Sequence, residues 1–329
     1  MKLTFSQTGD PLDVLQLEPS EAPIPKGHEV VVRMLFAPIN PADLNFIEGT
    51  YGKRPTLPAV PGIEGCGRVE SVGDAVESLA VGDLVIPLRA IGLWTQHFVA
   101  AESHFAKLPV DMDPLQAAML RVNPATAWQL LHEYRDLEKG SLVAQNAANS
   151  GVGRAVIQIA KSLGMRTINF VRRSELIGEL KALGADFVFL DDEAGLAQAK
   201  EVAAKSEIML ALNAVGGDSA LRLMDLLSPE GAHVTYGAMS RRSLKIPNGM
   251  LIFKDLEIRG YWLSRRMEKA SHAEIHDVLK PLAAMMNSGE LKLPIERIYP
   301  MDQFREALSA AKSGGRAGKI MLDLGAPLS

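Results

Sequence analysis

Residues 141–173 read SLVAQNAANSGVGRAVIQIAKSLGMRTINFVRR, and this order of residue types decides the fold. An apolar run from Ser141 leads into a turn of small residues, Ala148-Asn149-Ser150-Gly151-Val152-Gly153. Apolar residues then recur at helical spacing from Val152 to Leu163, and Arg166 to Val171 is again an apolar strand. Strand, glycine turn, helix, strand is the unit that aims the unpaired amides of a helix N-terminus at a pyrophosphate. Against Gly-x-Gly-x-x-Gly the turn has Ala148 and Ser150 at the first two positions and keeps only Gly153, so its flanking elements carry the argument. The second strand runs into Arg172 and Arg173, where a site for an unphosphorylated ribose has an acidic residue. A bound 2′-phosphate accounts for the exchange and points to NADPH; a pair of solvated surface charges is the alternative.

Downstream the alternation continues: a helix from Glu175 to Leu183, the strand DFVFL, a strand from Glu207 to Asn213, a helix from Ser219 to Leu227 and a strand from Ala232 to Gly237. This βαβ series predicts a doubly wound parallel sheet covered on both faces. After Tyr261 come a helix over 273–287, another over 302–311 and a closing strand, GKIMLDL. Upstream, residues 1 to about 117 read as short strands between glycine and proline turns, such as EVVVRMLFA from Glu29 and GCGRVESVG from Gly65. One helix is expected there, at PADLNFIEG from Pro41.

A chain of 329 residues, 47% hydrophobic and 22% charged, is globular and has room for about two domains. A net charge of −4 without a polybasic stretch argues against nucleic acid or an anionic membrane as partner. The one cysteine, Cys66, excludes an internal disulfide framework and a cysteine-based zinc cluster. It reads as a buried, inert thiol. No apolar run reaches the length of a membrane span. The N-terminus carries neither a secretory nor an arginine-rich targeting pattern, so a cytoplasmic location is expected, or a mitochondrial one if a transit peptide has been removed ahead of residue 1.

Pro61-Gly-Ile-Glu-Gly-Cys-Gly-Arg-Val69, with Val81-Gly-Asp-Leu-Val85, resembles the N-terminal domain of the medium-chain dehydrogenase/reductase superfamily. Its zinc alcohol dehydrogenases carry Gly-His-Glu where this chain has Gly62-Ile63-Glu64, and isoleucine cannot ligate zinc. Asn40 stands about where their first cysteine ligand does, and the four-cysteine lobe is missing, so no metal is expected. Within the superfamily the chain is similar to the mitochondrial-type 2-enoyl thioester reductases over nearly its whole length. The matching stretches are Asn40-Pro-Ala-Asp-Leu-Asn with Glu48-Gly-Thr-Tyr51, Val122-Asn-Pro-Ala-Thr-Ala127, Gln145 to Gly153, Leu210 to Gly217, Thr235-Tyr-Gly-Ala-Met-Ser240, Ile252 to Asp255 and Gly260-Tyr-Trp-Leu263.

The resemblance implies a mostly β, GroES-like catalytic domain over 1–117 and 262–329, a Rossmann domain over 118–261, and an active site in the cleft between them. It implies Tyr51 as the catalytic tyrosine, with Trp94 and Asn40 in the substrate pocket. For NADPH it implies Asn123, Asn149, Ser150, Gly151, Val152, Gly153, Arg172, Arg173, Tyr236, Gly237, Ala238, Met239, Tyr261, Trp262, Leu263 and Lys319. The implied activity is NADPH-dependent reduction of enoyl-CoA or enoyl-acyl-carrier-protein in fatty acid synthesis, by a homodimer joined through edge strands near 257–263. Acyl carrier protein is then a partner. Two departures stand out: the family's Arg-Asp-Arg is Arg172-Arg173-Ser174 here, and its usual Phe is Tyr261. A zinc-independent NADPH quinone or general alkene reductase is the alternative enzyme, and a cofactor-binding protein without turnover the alternative class. His272 and His276 share a helical spacing but lack an evident third ligand, and Arg265, Arg266 and Lys269 read as charged surface.

Overall fold

The computed structural model describes residues 1–89 and 91–325. The chain divides into two compact units, Asn123–Arg266 and Met1–Val122 with Met267–Ser329.

In the unit Asn123–Arg266, six strands form one sheet: Leu142–Gln145, Arg166–Val171, Phe187–Leu190, Leu210–Asn213, Ala232–Thr235 and Glu257–Gly260. Every pairing is parallel, and the spatial order is third, second, first, fourth, fifth, sixth. The first and fourth strands are therefore neighbours, and the chain reverses its direction of travel between them. Such a switch point opens a crevice beyond the carboxyl ends of those strands, at Gln145 and Asn213. All four residues of both strands are buried, the continuous apolar reading of strands covered on two sides. Leu142, Ala144, Ile168 and Phe170 pack with Leu196, Ala199, Leu223 and Met224, while Ile157, Val171, Leu180 and Val188 form a separate cluster.

Two details depart from expectation. Glu193–Ala203 is a helix that periodicity does not announce, because it buries only Gly195, Leu196 and Ala199. Its start is fixed by Asp192, whose Oδ1 accepts from the Gly195 amide at 2.8 Å. The edge strand expected over 257–263 ends at Gly260, and Leu263–Lys269 is helical.

In the unit containing both termini, Glu29–Pro38 is the central strand, antiparallel to Cys66–Val72 and to His97–Ala101. Its last residues pair with the closing strand Lys319–Asp323, Met321 opposite Pro38 and Asp323 opposite Phe36. The Ile39 amide donates to Ile320 O at 2.9 Å, so the start of that strand lies beside Asn40. The helix Pro41–Glu48 begins there, with proline in its first turn, and ends at Gly49, whose φ of 76° suits a residue without a Cβ.

One core residue of the Rossmann unit makes stability depend on pH. His233 lies in the fifth strand, fully buried, opposite Ala211 and Ile258. Its ring nitrogens have no partner beyond its own main chain, and burial pushes its pKa down to about 4. The unfolded chain binds a proton near 6.5, so stability is lost as pH falls from 6.5 to 4, by up to about 3 kcal/mol. A His233→Leu variant should lose less stability than its parent over that window in denaturant melts. Comparing the two cancels Asp43, whose raised pKa acts with the opposite sign; parallel curves would refute the assignment.

Candidate active site and dinucleotide site

In the unit with the termini, four charged side chains and an amide gather around the start of the helix Pro41–Glu48. Asp43 is fully buried; its Oδ2 accepts from the Asn40 amide and its Oδ1 from the Ile63 amide, each at 2.8 Å. Glu64, 1% exposed, accepts from Asn40 Nδ2 at 2.8 Å and from the Val122 amide at 2.9 Å. Lys319 Nζ donates to Asn40 Oδ1, so the Asn40 amide bridges an ammonium and a carboxylate. Arg121, also buried, donates from Nη1 to Leu88 O at 3.1 Å. Two buried acids thus stand beside two buried cations.

Burial is the main influence on each charge. It pushes Asp43 up to about 7 against its two amide hydrogen bonds, and it raises Glu64 against the pull of Lys319. Desolvation lowers Lys319 and Arg121, which Glu64 and Asp43 oppose. Isoleucine at 63 and asparagine at 40 leave no ligand set, and among the described residues no group of three His, Cys, Asp or Glu side chains could hold a metal.

Tyr51 follows this helix on a short anchored loop. The amides of Thr50 and Tyr51 both donate to Asn45 O, at 2.9 and 3.0 Å. The half-buried Tyr51 ring packs on the core that includes Phe46 and Ile47. The Arg121 guanidinium lies within electrostatic reach of Tyr51. Trp94, which the resemblance puts in the substrate pocket, is enclosed by the core at 0% exposure. Gly62 explains its place: at φ +103, a Cβ there would lie 2.5 Å from Trp94 Cδ1, so the indole lies under the backbone that carries Glu64.

In the Rossmann unit, Ser150 caps the helix Gly151–Ser162, its Oγ accepting from the Gly153 amide at 3.1 Å. The amides of Gly151 and Val152 open the helix and have no helical acceptor. A Cβ on Gly153 would come within 2.6 Å of Ala148 O, so only glycine lets helix and turn approach this closely. Asn123 backs the turn, 3.0 Å from where a Gly151 Cβ would sit. Tyr236, Gly237, Ala238 and Met239 lie beyond the fifth strand, with the Tyr236 amide on Asn213 O and the Met239 amide on Ala214 O, each at 2.9 Å. The Tyr236 hydroxyl is buried facing Ser150 and is held protonated by desolvation.

Arg172 is exposed just past the second strand, and Arg173, partly buried, pairs with Glu175 at 3.4 Å. Tyr261 is buried and donates to Gln129 Oε1, while Trp262 is 37% exposed and Leu263 partly buried. The turn, the helix N-terminus and the exposed Arg172 just past strand two suit a 2′-phosphorylated dinucleotide. Lys319, expected with this group, belongs to the other unit, joined to Asn40.

Sequence reading missed Asp43 and Arg121 as parts of the charged cluster, and Arg154 behind the phosphate turn. The signal was available: each is a charge set into an otherwise apolar or small-residue run. His272 meets His104 edge to face at 5.5 Å, and Arg266 pairs with Glu133 at 2.6 Å. Cys66 is buried and donates to Pro114 O at 3.0 Å, and burial pushes its thiol up to about 12.

A Rossmann unit together with a mixed, mostly antiparallel β unit is the fold class of the medium-chain dehydrogenase/reductases. Family models agree: residues 26–110 match the alcohol dehydrogenase GroES-like domain and residues 151–284 the zinc-binding dehydrogenase domain. The chain is 42% identical to the mitochondrial enoyl-acyl-carrier-protein reductase of Rattus norvegicus, over 94% of this chain and 84% of that one. The chain belongs to the family of mitochondrial-type enoyl-acyl-carrier-protein reductases.

Solved structures share the fold. A putative NADPH:quinone reductase from Bacillus thuringiensis superposes with a TM-score of 0.91 at 28% identity, over 98% of both chains. The mitochondrial 2-enoyl thioester reductase Etr1p/Etr2p heterodimer of Candida tropicalis gives 0.88 at 28% identity, also over 98% of both. Etr1p in complex with NADP and crotonyl-CoA gives 0.86, with the same identity and coverage. The relatives' names place them in the mitochondrion and give the cytoplasmic expectation no support.

Proposed function

We propose that this chain reduces the carbon–carbon double bond of trans-2-enoyl thioesters with NADPH, in fatty acid synthesis. The observation that carries this reading is Tyr51, anchored on Asn45 O near the buried charged cluster around Asn40 and Glu64. The reaction needs a hydride at the β-carbon, stabilisation of negative charge on the thioester oxygen, and a proton for the α-carbon. NADPH supplies the hydride when bound. Without a metal, charge on the oxygen must meet protein donors. A phenol keeps its proton at neutral pH and donates a hydrogen bond as charge builds, which gives Tyr51 that role.

The cofactor phosphates are taken by Asn149 to Gly153, the 2′-phosphate by Arg172 and Arg173, and the nicotinamide half by Asn123, Tyr236 to Met239, Tyr261 to Leu263 and Lys319. Asn40 fixes the floor beside the thioester. The unit Met1–Val122 with Met267–Ser329 is the catalytic domain and Asn123–Arg266 the NADPH domain. Acyl carrier protein or coenzyme A carries the substrate, and the relatives' compartment, the mitochondrion, is the one to test by fractionation.

A homodimer completes the reading. Among the described residues the strand Glu257–Gly260 is the open edge of its sheet, and the nearby helix Asn248–Phe253 exposes Leu251, Ile252 and Phe253 at 41, 70 and 84%. An open edge beside an apolar surface is the arrangement that a second copy covers. Sedimentation should give twice 35.6 kDa; a 35.6 kDa species throughout removes the dimer.

Cofactor oxidation with crotonyl-CoA, with a quinone and with no acceptor tests the activity, using NADPH and NADH in turn. Turnover selective for crotonyl-CoA and NADPH is expected; quinone-selective turnover, or binding without turnover, would replace the reading. In the same assay, an Arg172→Asp, Arg173→Ser variant should lose its NADPH preference, and retention would remove the arginines from the site.

A further inference from the structure

Arg154 is the fourth residue of the helix that opens at the phosphate turn, and only 4% of it is exposed. A guanidinium so enclosed needs partners for both its charge and its N–H groups. Its Nε donates to Asn149 O at 3.1 Å, and its Nη2 meets Glu179 Oε1 at 2.7 Å.

The first contact falls on the turn itself. The peptide between Asn149 and Ser150 is held at both ends, its carbonyl by Arg154 and its N–H by Ala147 O at 2.8 Å. Ala147 sits at φ +47°, in the left-handed region that a residue with a Cβ enters only under constraint. With that peptide fixed, the amides of Gly151 and Val152, which open the helix, are held in place. Because Glu179 balances the guanidinium, Arg154 brings no net charge to the phosphates, and its influence is geometric.

The second contact joins two parts of the dinucleotide site. Glu179 stands on the helix Leu176–Leu183, which follows directly from the Arg172–Arg173 segment. The ion pair thus ties the pyrophosphate turn to the element bearing the ribose-phosphate arginines.

We propose that Arg154 and Glu179 are a positioning pair that sets affinity for NADPH by fixing the Asn149–Ser150 peptide, without touching the reacting atoms. The proposal rests on the NADPH reading above. The test is direct titration of the full chain with NADPH, alongside steady-state kinetics with crotonyl-CoA, for the parent, Arg154→Gln and Glu179→Gln. Loss of a charge-assisted contact on the turn should raise the NADPH Kd about tenfold in Arg154→Gln. Turnover at saturating NADPH and the KM for the thioester should stay within about twofold, since the reacting atoms are untouched.

Glu179→Gln keeps the fold safe, because Glu179 is 45% exposed. It should raise the Kd about threefold, as a screened partner contributes less. Lower melting temperatures with unchanged Kd in both variants would make the pair merely structural and overturn the proposal. A parent that fails to bind NADPH would overturn the cofactor reading, and the pair's role with it.

Discussion

Replacing Tyr51 with Phe is expected to lower turnover of crotonyl-CoA by about 10² to 10⁴-fold, the range for loss of a group that donates in the transition state. The substitution isolates the hydroxyl. The loop is held by the main-chain amides of Thr50 and Tyr51 on Asn45 O, which the variant keeps, and the ring that packs on the core retains its shape. NADPH affinity should stay within a few-fold, since the phosphate turn belongs to the other unit. Transition-state stabilisation alone is lost, so kcat and kcat/KM should fall together. Turnover within a few-fold of the parent would remove Tyr51 from the mechanism.

Lys319→Met should destabilise the unit with the termini by roughly 3 kcal/mol, because it strips a buried carboxylate of a cation. Asn40 Oδ1 loses its donor, and Glu64 keeps only Arg121 as a nearby positive charge. On the scale of a domain this size, that is roughly 10 °C in Tm. The pH dependence separates this cause from lost packing. In the variant, Glu64 is driven further above its unfolded value, so the folded form holds a proton that the unfolded form releases. Stability is then lost as pH rises through that window, and the deficit should be larger at pH 8 than at pH 5.5. A deficit independent of pH would mean that the lysine stem, not its charge, matters.

How much of this was readable in advance depended on the range of the forces involved. The Rossmann unit was legible because strands buried on both faces are continuously apolar, and because the phosphate turn is contiguous in sequence. The helix Glu193–Ala203 was not, since its few buried residues make no stripe. Trp94 reads from sequence as readily as core as pocket wall, and the position of Gly62 sets its indole against the core. Arg154 was not singled out, because its partners lie five residues behind it and on the next helix.

The sequence by itself determined the dinucleotide fold, the missing metal ligands and the family, since each is carried by residue types at short fixed spacings. Only the tertiary structure decided where the charges go. Lys319 reaches Asn40 because the closing strand pairs with Glu29–Pro38, a contact across 279 positions. Strand pairing at that separation is selected by the burial of a whole sheet, and no local pattern records it.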